Sequence, residues 1–371
     1  MIRTSWTRPT SSRTNPVARC IARPLLYVSC LIVLLACTST AEKQPGSGPR
    51  KDIVCFIYHR VGDGRYPTTN TSSKDFEAHL AYLAKNKFQV LNFSDAIDYL
   101  QSDAPAQKTA VITVDDGYAS FFRNGLPLLK KYKMPATLFI NTKTVGGGGD
   151  FMDWDQLKTA VASGIEIGNH THSHDYFLNQ SADTRYETFR QEIIQSQNII
   201  EKHLVKKPVA FSYPYGEFDD KMKQIVKEAG FKAAAAQLSG VLYNGTDVFM
   251  CPRFPMAEAY SAPAKFAEKA MMRALDVTTP SAPLPLPDKR PALTLTFNGG
   301  EIQAKRLQCF AQGSPCSCRI TKQDTTGLVT VSVQASAAIA GRRRTLYTLT
   351  APGKKGGWYW YSHLWINTKV K

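Results

Sequence analysis

The chain has 371 residues, 43% of them hydrophobic, and a formal net charge of +16; that length holds a large core plus a second domain, since domains run to about 100–200 residues. The charge is unevenly spread: five of the 46 Lys+Arg lie in the first 36 residues and 13 lie in 285–371 against three acidic residues, leaving 28 against 27 in between. The middle of the chain is therefore near neutral. With the export signal described next, this excludes nucleic acid as a partner and leaves the basic tail either for an acidic polymer, phosphate-bearing lipid or wall material, or as a solvated basic face.

Residues 1–36 carry Arg3, Arg8, Arg13, Arg19 and Arg23, no acidic residue, and an apolar run ending in "LLAC". The run falls short of the ~20 apolar residues of a permanent membrane span and reads as a signal peptide. Leu34, Leu35, Ala36 and Cys37 resemble a bacterial lipobox, which implies cleavage before Cys37, lipid attachment to it, and a polar tether over 37–50. The expected location is an exported lipoprotein anchored in the membrane, at the outer membrane facing the periplasm.

From there apolar strands alternate with helical stretches. Strands are predicted over 53–61, 109–117, 136–142, 165–171 and 208–216 and near 231–236 and 248–254. Helices are predicted over 73–87 with Ser73 as cap, 119–133, 153–164, 184–203 and 219–230. Repeated β-α units imply α/β architecture with a parallel sheet, here a distorted (β/α)7-8 barrel over 51–277, with active residues where strands end.

The proline-rich segment 278–292 reads as a linker. Beyond it, 293–371 changes to short alternating strands, "LTLTFNG", "GLVTVSVQA", "RRTLYTLTA" and "GWYWYSHLWIN", which fit a small all-β, sandwich-like domain. The aromatics Trp358, Tyr359, Trp360, Tyr361 and Trp365 either stack on sugar faces or divide between core and interface. In an exported chain, one disulfide is expected among Cys309, Cys316 and Cys318, and a bridge between Cys55 and Cys251 is open.

Candidate chemistry collects at strand ends. "TVDDG" (113–117) presents Asp115 and Asp116 in different directions, so one carboxylate can hold a metal while the other handles a proton; alone, the motif is a turn or helix cap. In "HTHSH", an extended segment would align His170, His172 and His174. A turn after His170 aligns only His170 and His174, and the loop-like "SHDYF" favours the turn. One carboxylate oxygen plus two imidazoles is a common open set for zinc.

"TVDDG" (113–117), "NHTHSH" (169–174) and "SYPYG" (212–216), on consecutive β/α units, resemble the first three motifs of the NodB-homology polysaccharide deacetylases, carbohydrate esterase family 4. The similarity covers roughly 51–275. "YHRV", "FMDWDQL" and "CPRFP" resemble the exported branch that trims poly-N-acetylglucosamine. The resemblance implies a divalent metal, Zn2+ or alternatively Co2+ or Ni2+, on Asp116, His170 and His174, with Asp115 as base. It also implies the Tyr215 N–H as oxyanion donor, and metal-dependent release of acetate from an extracellular or wall polysaccharide containing N-acetylglucosamine.

Two positions depart from that pattern. Where many members carry an arginine that orients the catalytic aspartate, this chain has Ser212, and Arg253 is the expected substitute. The late histidine that protonates the leaving amine is missing, since no histidine occurs between 203 and 363. His59, His363 (if the second domain folds over the site), a metal-bound water and a protonated Asp115 are the candidates for that acid, and slow turnover is expected. Trp154 either lines the groove or packs. Other readings are a glycan-binding lipoprotein with weak or no turnover, an O-acetyl esterase, and an amidohydrolase barrel, where His-x-His would end the first strand instead.

Overall fold

The computed structural model describes residues 49–257, 260–278, 284–285 and 287–370. The leader, Cys37 and nearly all of the tether lie outside the described residues. No helix among the described residues is long and apolar enough to cross a membrane.

The first domain is a curled, mainly parallel sheet. Its strands Asp52–Tyr58, Thr109–Asp115, Ala136–Ile140, Ile165–Asn169, Ala210–Ser212 and Ala233–Ala235 pair in that order. The segment Cys251–Pro255 returns from the far edge to the first strand: Ala235 bridges Cys251, and Phe254–Pro255 runs parallel to Phe56–Ile57. The result is a distorted barrel of parallel segments, completed by a two-residue strand. Parallel strands buried on both faces read as apolar runs, and Thr109–Asp115 is buried at every position.

Most predicted elements stand within a few residues of their expected ends, with four informative differences. The first helix, Ser73–Lys85, is capped by Ser72, whose side chain accepts from the Asp75 N–H at 3.0 Å. The strand Gln89–Leu91, the helix Phe93–Gln101 and the antiparallel strand Val241–Tyr243 were not anticipated. They are short, and their apolar residues carry too few repeats to show a period.

The second domain has two sheets. One contains Gln308–Ala311, Arg344–Pro352 and Trp358–Ile366, and the other contains Ala292–Asn298, Leu328–Ala335 and Cys316–Gln323. Leu293, Leu295 and Phe297 face Val329, Val331 and Val333 across the three-stranded sheet and join Tyr347, Leu349 and Trp365 in one core. The strand Met272–Ala274, in the span 51–277 assigned to the barrel, pairs with Trp358–Trp360, so the domains share structure before the linker begins. Leu364 and Ile366 enter the barrel-side cluster of Phe211, Phe218 and Met250, which joins the domains through buried apolar surface.

The aromatic cluster is largely structural. Tyr359 and Trp365 are buried, and Trp360 donates to the Ser239 carbonyl at 3.0 Å and meets Phe254 edge-on, leaving Trp358 as the exposed member. Trp154 stacks on His203 with ring centroids 4.1 Å apart and packs rather than lining a groove. The five described cysteines are free thiols. Cys309 lies in hydrogen-bonding reach of Cys316 and Cys318, and burial pushes the thiol of Cys55, beside Cys251, up to about 12.

Candidate active site at the strand ends

Four strand ends converge on one point. The strand Ile165–Asn169 stops before His170, and left-handed backbone at Thr171 (φ 67°) and His174 (φ 59°) turns the chain back on itself. That turn brings His174 Nε2 within 3.1 Å of His170 Nε2. His172 is carried away and shares a hydrogen bond with Thr142 at 2.9 Å. The turn geometry, not the extended one, is what the chain adopts.

Asp116 sits just past its strand at φ 73°, a conformation that is uncommon for a residue other than glycine and is often found at functional sites. Its Oδ1 lies 3.6 Å from His170 Nε2 and 3.4 Å from His174 Nε2. This oxygen is buried and has no hydrogen-bond partner. His170 Nδ1 lies 2.7 Å from the Ser212 carbonyl, which can only accept, so Nδ1 donates there and Nε2 is the ring nitrogen turned toward Asp116 and His174. Burial, with His170 beside it, pushes His174 down to about 4, which keeps that imidazole neutral. An orphaned carboxylate oxygen facing two imidazole nitrogens, all within 4.8 Å of one another, fits a divalent cation.

Asp115 points the other way, into the barrel. Arg253 grips it end-on, Nη1 donating to Oδ1 at 2.8 Å and Nη2 to Oδ2 at 2.9 Å, and Ser212 Oγ adds a 3.2 Å bond to Oδ2. The guanidinium is itself fixed by the Ala236 carbonyl, Thr113 Oγ1 and Ser212 Oγ. Both side chains of the pair are fully buried. Burial alone would raise the Asp115 carboxyl; the cationic Arg253 and the neighbouring His170 outweigh it and hold the group at about 2. A serine in the third motif thus sits beside an arginine delivered from the last strand.

The "SYPYG" turn forms the wall beside His174. Tyr215 adopts φ 59°, its ring lies 4.4 Å from that of His174, and it stacks on Tyr176 at 3.7 Å. Gly216 follows at φ 69°, where a Cβ would fall 2.8 Å from the Gln237 amide nitrogen, so a side chain is barred there twice over.

Sequence reasoning did not place the second domain at this site. Arg344 Nη1 donates to the Tyr215 carbonyl at 2.6 Å, and Arg343 makes two bonds to the buried Glu217 carboxylate at 2.7 and 2.6 Å. Arg343 also lies over the Tyr176 ring at 4.1 Å. The "GRRR" run was visible only as charge. His59, Tyr118, Asn141 and Arg344 line the cleft of about 570 Å³ over Asp116 and His174, whereas His363 is buried against Trp365 and contributes nothing to that lining.

Residues 102–234 match the family model described as polysaccharide deacetylase. A putative polysaccharide deacetylase, YxkH of Bacillus subtilis, is 26% identical over 210 residues, 56% of this chain and 73% of the relative. The poly-β-1,6-N-acetyl-D-glucosamine N-deacetylase of Staphylococcus aureus is 26% identical over 213 residues, with 55% and 73% covered. Among solved structures, IcaB from Ammonifex degensii is 27% identical with a TM-score of 0.53, covering 59% of this chain and 97% of its own. The Streptococcus pyogenes deacetylase PplD, solved with acetate, shares the fold at 20% identity, with a TM-score of 0.55 over 60% of this chain and 99% of its own.

Proposed function

We propose that this chain, whose residues 102–234 match the polysaccharide deacetylase family model, is a NodB-homology deacetylase that hydrolyses N-acetyl groups of a polysaccharide containing N-acetylglucosamine, with a divalent cation as cofactor. The observation that carries this reading is the division of labour between adjacent carboxylates. Asp116 faces the Nε2 atoms of two imidazoles, and Asp115 is turned inward and held ionised by Arg253.

A divalent cation held by Asp116, His170 and His174 supplies Lewis acidity toward the acetamide carbonyl and the attacking water. Asp115, 3.8 Å from His170 Nε2, takes the proton from that water, and Arg253 fixes the direction in which its carboxylate points. The Tyr215 N–H, on a turn stiffened by Pro214 and Gly216, donates to the carbonyl oxygen as negative charge develops there. The leaving amine needs a proton. With His363 outside the cleft lining and His174 assigned to the metal, His59 is the histidine of that lining placed to give it.

The Arg-rich leader and "LLAC" support an exported, lipid-anchored protein acting on an extracellular or wall glycan. The reading is tested by acetate release from poly-β-1,6-N-acetylglucosamine, chitin oligomers, peptidoglycan and acetylated xylan. Release from an N-acetylglucosamine polymer is expected; release from xylan alone would replace the amidase with an esterase.

A further inference from the structure

The cleft over Asp116 and His174 is not the whole cavity. A second hollow of about 500 Å³ adjoins it, and Ile57, His59, Gln237, Pro255 and Arg344 line both. The far wall of this extension comes from the second domain and includes Gln312, Arg342 and Arg343. One continuous groove therefore runs from the candidate metal site on to the basic domain.

The charge along the extension has one sign. Arg253 and Arg343 are spent on Asp115 and Glu217. Arg342, by contrast, is exposed, and its guanidinium has no hydrogen-bond or ion-pair partner among the described residues. Arg344 gives one nitrogen to the Tyr215 carbonyl and stands 3.8 Å from Glu217. Among the described residues, no carboxylate lines the extension, and the cleft itself shows only Asp116. A walled groove concentrates the field of such cations, and guanidinium groups pair with planar or tetrahedral oxyanions through two N–H donors. A neutral homopolymer makes no use of this wall, and a protonated neighbouring amine is repelled by it.

We infer that the extension is a subsite for an oxyanion carried by the glycan, a carboxylate or phosphate on a sugar near the one losing its acetyl group, with Arg342 and Arg344 as its ligands. The inference rests on the groove being the glycan site and names the class of glycan that it selects. The basic second domain then acts as part of the substrate site rather than as a detached tether to acidic material.

The test is equilibrium binding to the metal-loaded full chain carrying Asp115→Asn, which halts hydrolysis. Three oligomers of equal length serve as probes: neutral N-acetylglucosamine, the same chain with lactyl carboxylates on alternate sugars, and the same chain with phosphate esters. At least one anionic oligomer is expected to bind about tenfold or more tighter than the neutral one. That preference should shrink when salt rises from about 0.02 M to about 0.5 M and disappear in Arg342→Gln/Arg344→Gln. Which anionic oligomer gains identifies the source of the oxyanion. Equal binding of all three, or a preference that survives the double substitution, overturns the subsite while leaving the glycan reading intact. Failure of every oligomer to bind removes both.

Discussion

Arg253 and Asp115 meet as a fully buried two-bond ion pair, at 2.8 and 2.9 Å, although 138 residues separate them in the chain. Removing one partner of such a pair leaves a buried charge uncompensated and costs about 3–5 kcal/mol. Arg253→Gln is therefore expected to lower the stability of the barrel by that amount and acetate release by about 100-fold or more. Arg253→Lys, a single point charge, falls between the two. Urea unfolding and turnover on the same preparations check both effects.

Metal binding separates the three histidines. His170→Ala and Asp116→Ala are expected to lose the bound divalent ion at equimolar metal, while His172→Ala retains it, since His172 is engaged with Thr142 instead. Metal content after dialysis distinguishes them. Loss of metal in His172→Ala to the same extent as in His170→Ala would reject the ligand set.

Stability should fall with acid for a reason unrelated to the site. His79 is buried between Tyr58 and the Ser261 carbonyl and stacks on Phe266, and burial lowers it from 6.5 to about 4. Its folded-state value lies below its unfolded one, so its contribution is fully present above pH 6.5 and is lost as pH falls toward 4. Linkage gives a loss of about 2 kcal/mol at pH 5 from this group. His79→Gln is expected to remove that share of the drop in urea midpoint between pH 7 and pH 5.

The two domains should not be separable without damage. Arg343 joins Glu217 beside the Tyr215 turn, with both side chains nearly buried. Arg343→Ala should destabilise the barrel by about 3 kcal/mol or more and lower kcat more than it raises KM. An unchanged kcat would show that the turn stands without this support.

The strand ends of the candidate site were legible because each motif breaks a period. An apolar strand ends in paired carboxylates, an alternating strand ends in histidines, and a Tyr-Pro-Tyr-Gly turn forces a left-handed residue. The position of Arg253 beside Asp115 could be expected only by elimination, because the contact depends on the Cys251–Pro255 segment closing the sheet. Arg343 and Arg344 were not legible as site residues. In sequence they are two cations in a basic tail, and their role depends on how the second domain docks. The unpredicted strand Gln89–Leu91 shows the same limit, since three residues gain strand character only from pairing with Thr109–Val111.

Turnover is expected to be slow, because no histidine occurs between 203 and 363 and His363 is buried away from the cleft. His59→Ala should slow it further, by about tenfold or more if His59 delivers the proton. Turnover by the wild-type chain as fast as that of a relative with a complete histidine set would reject that expectation.

The most direct test is acetate release from N-acetylglucosamine oligomers by the metal-loaded chain, side by side with Asp115→Asn checked for retained metal. The expected result is release by the wild-type chain and its loss in the variant despite a full complement of metal. Equal release by both, or none by the wild type with metal bound, would contradict it.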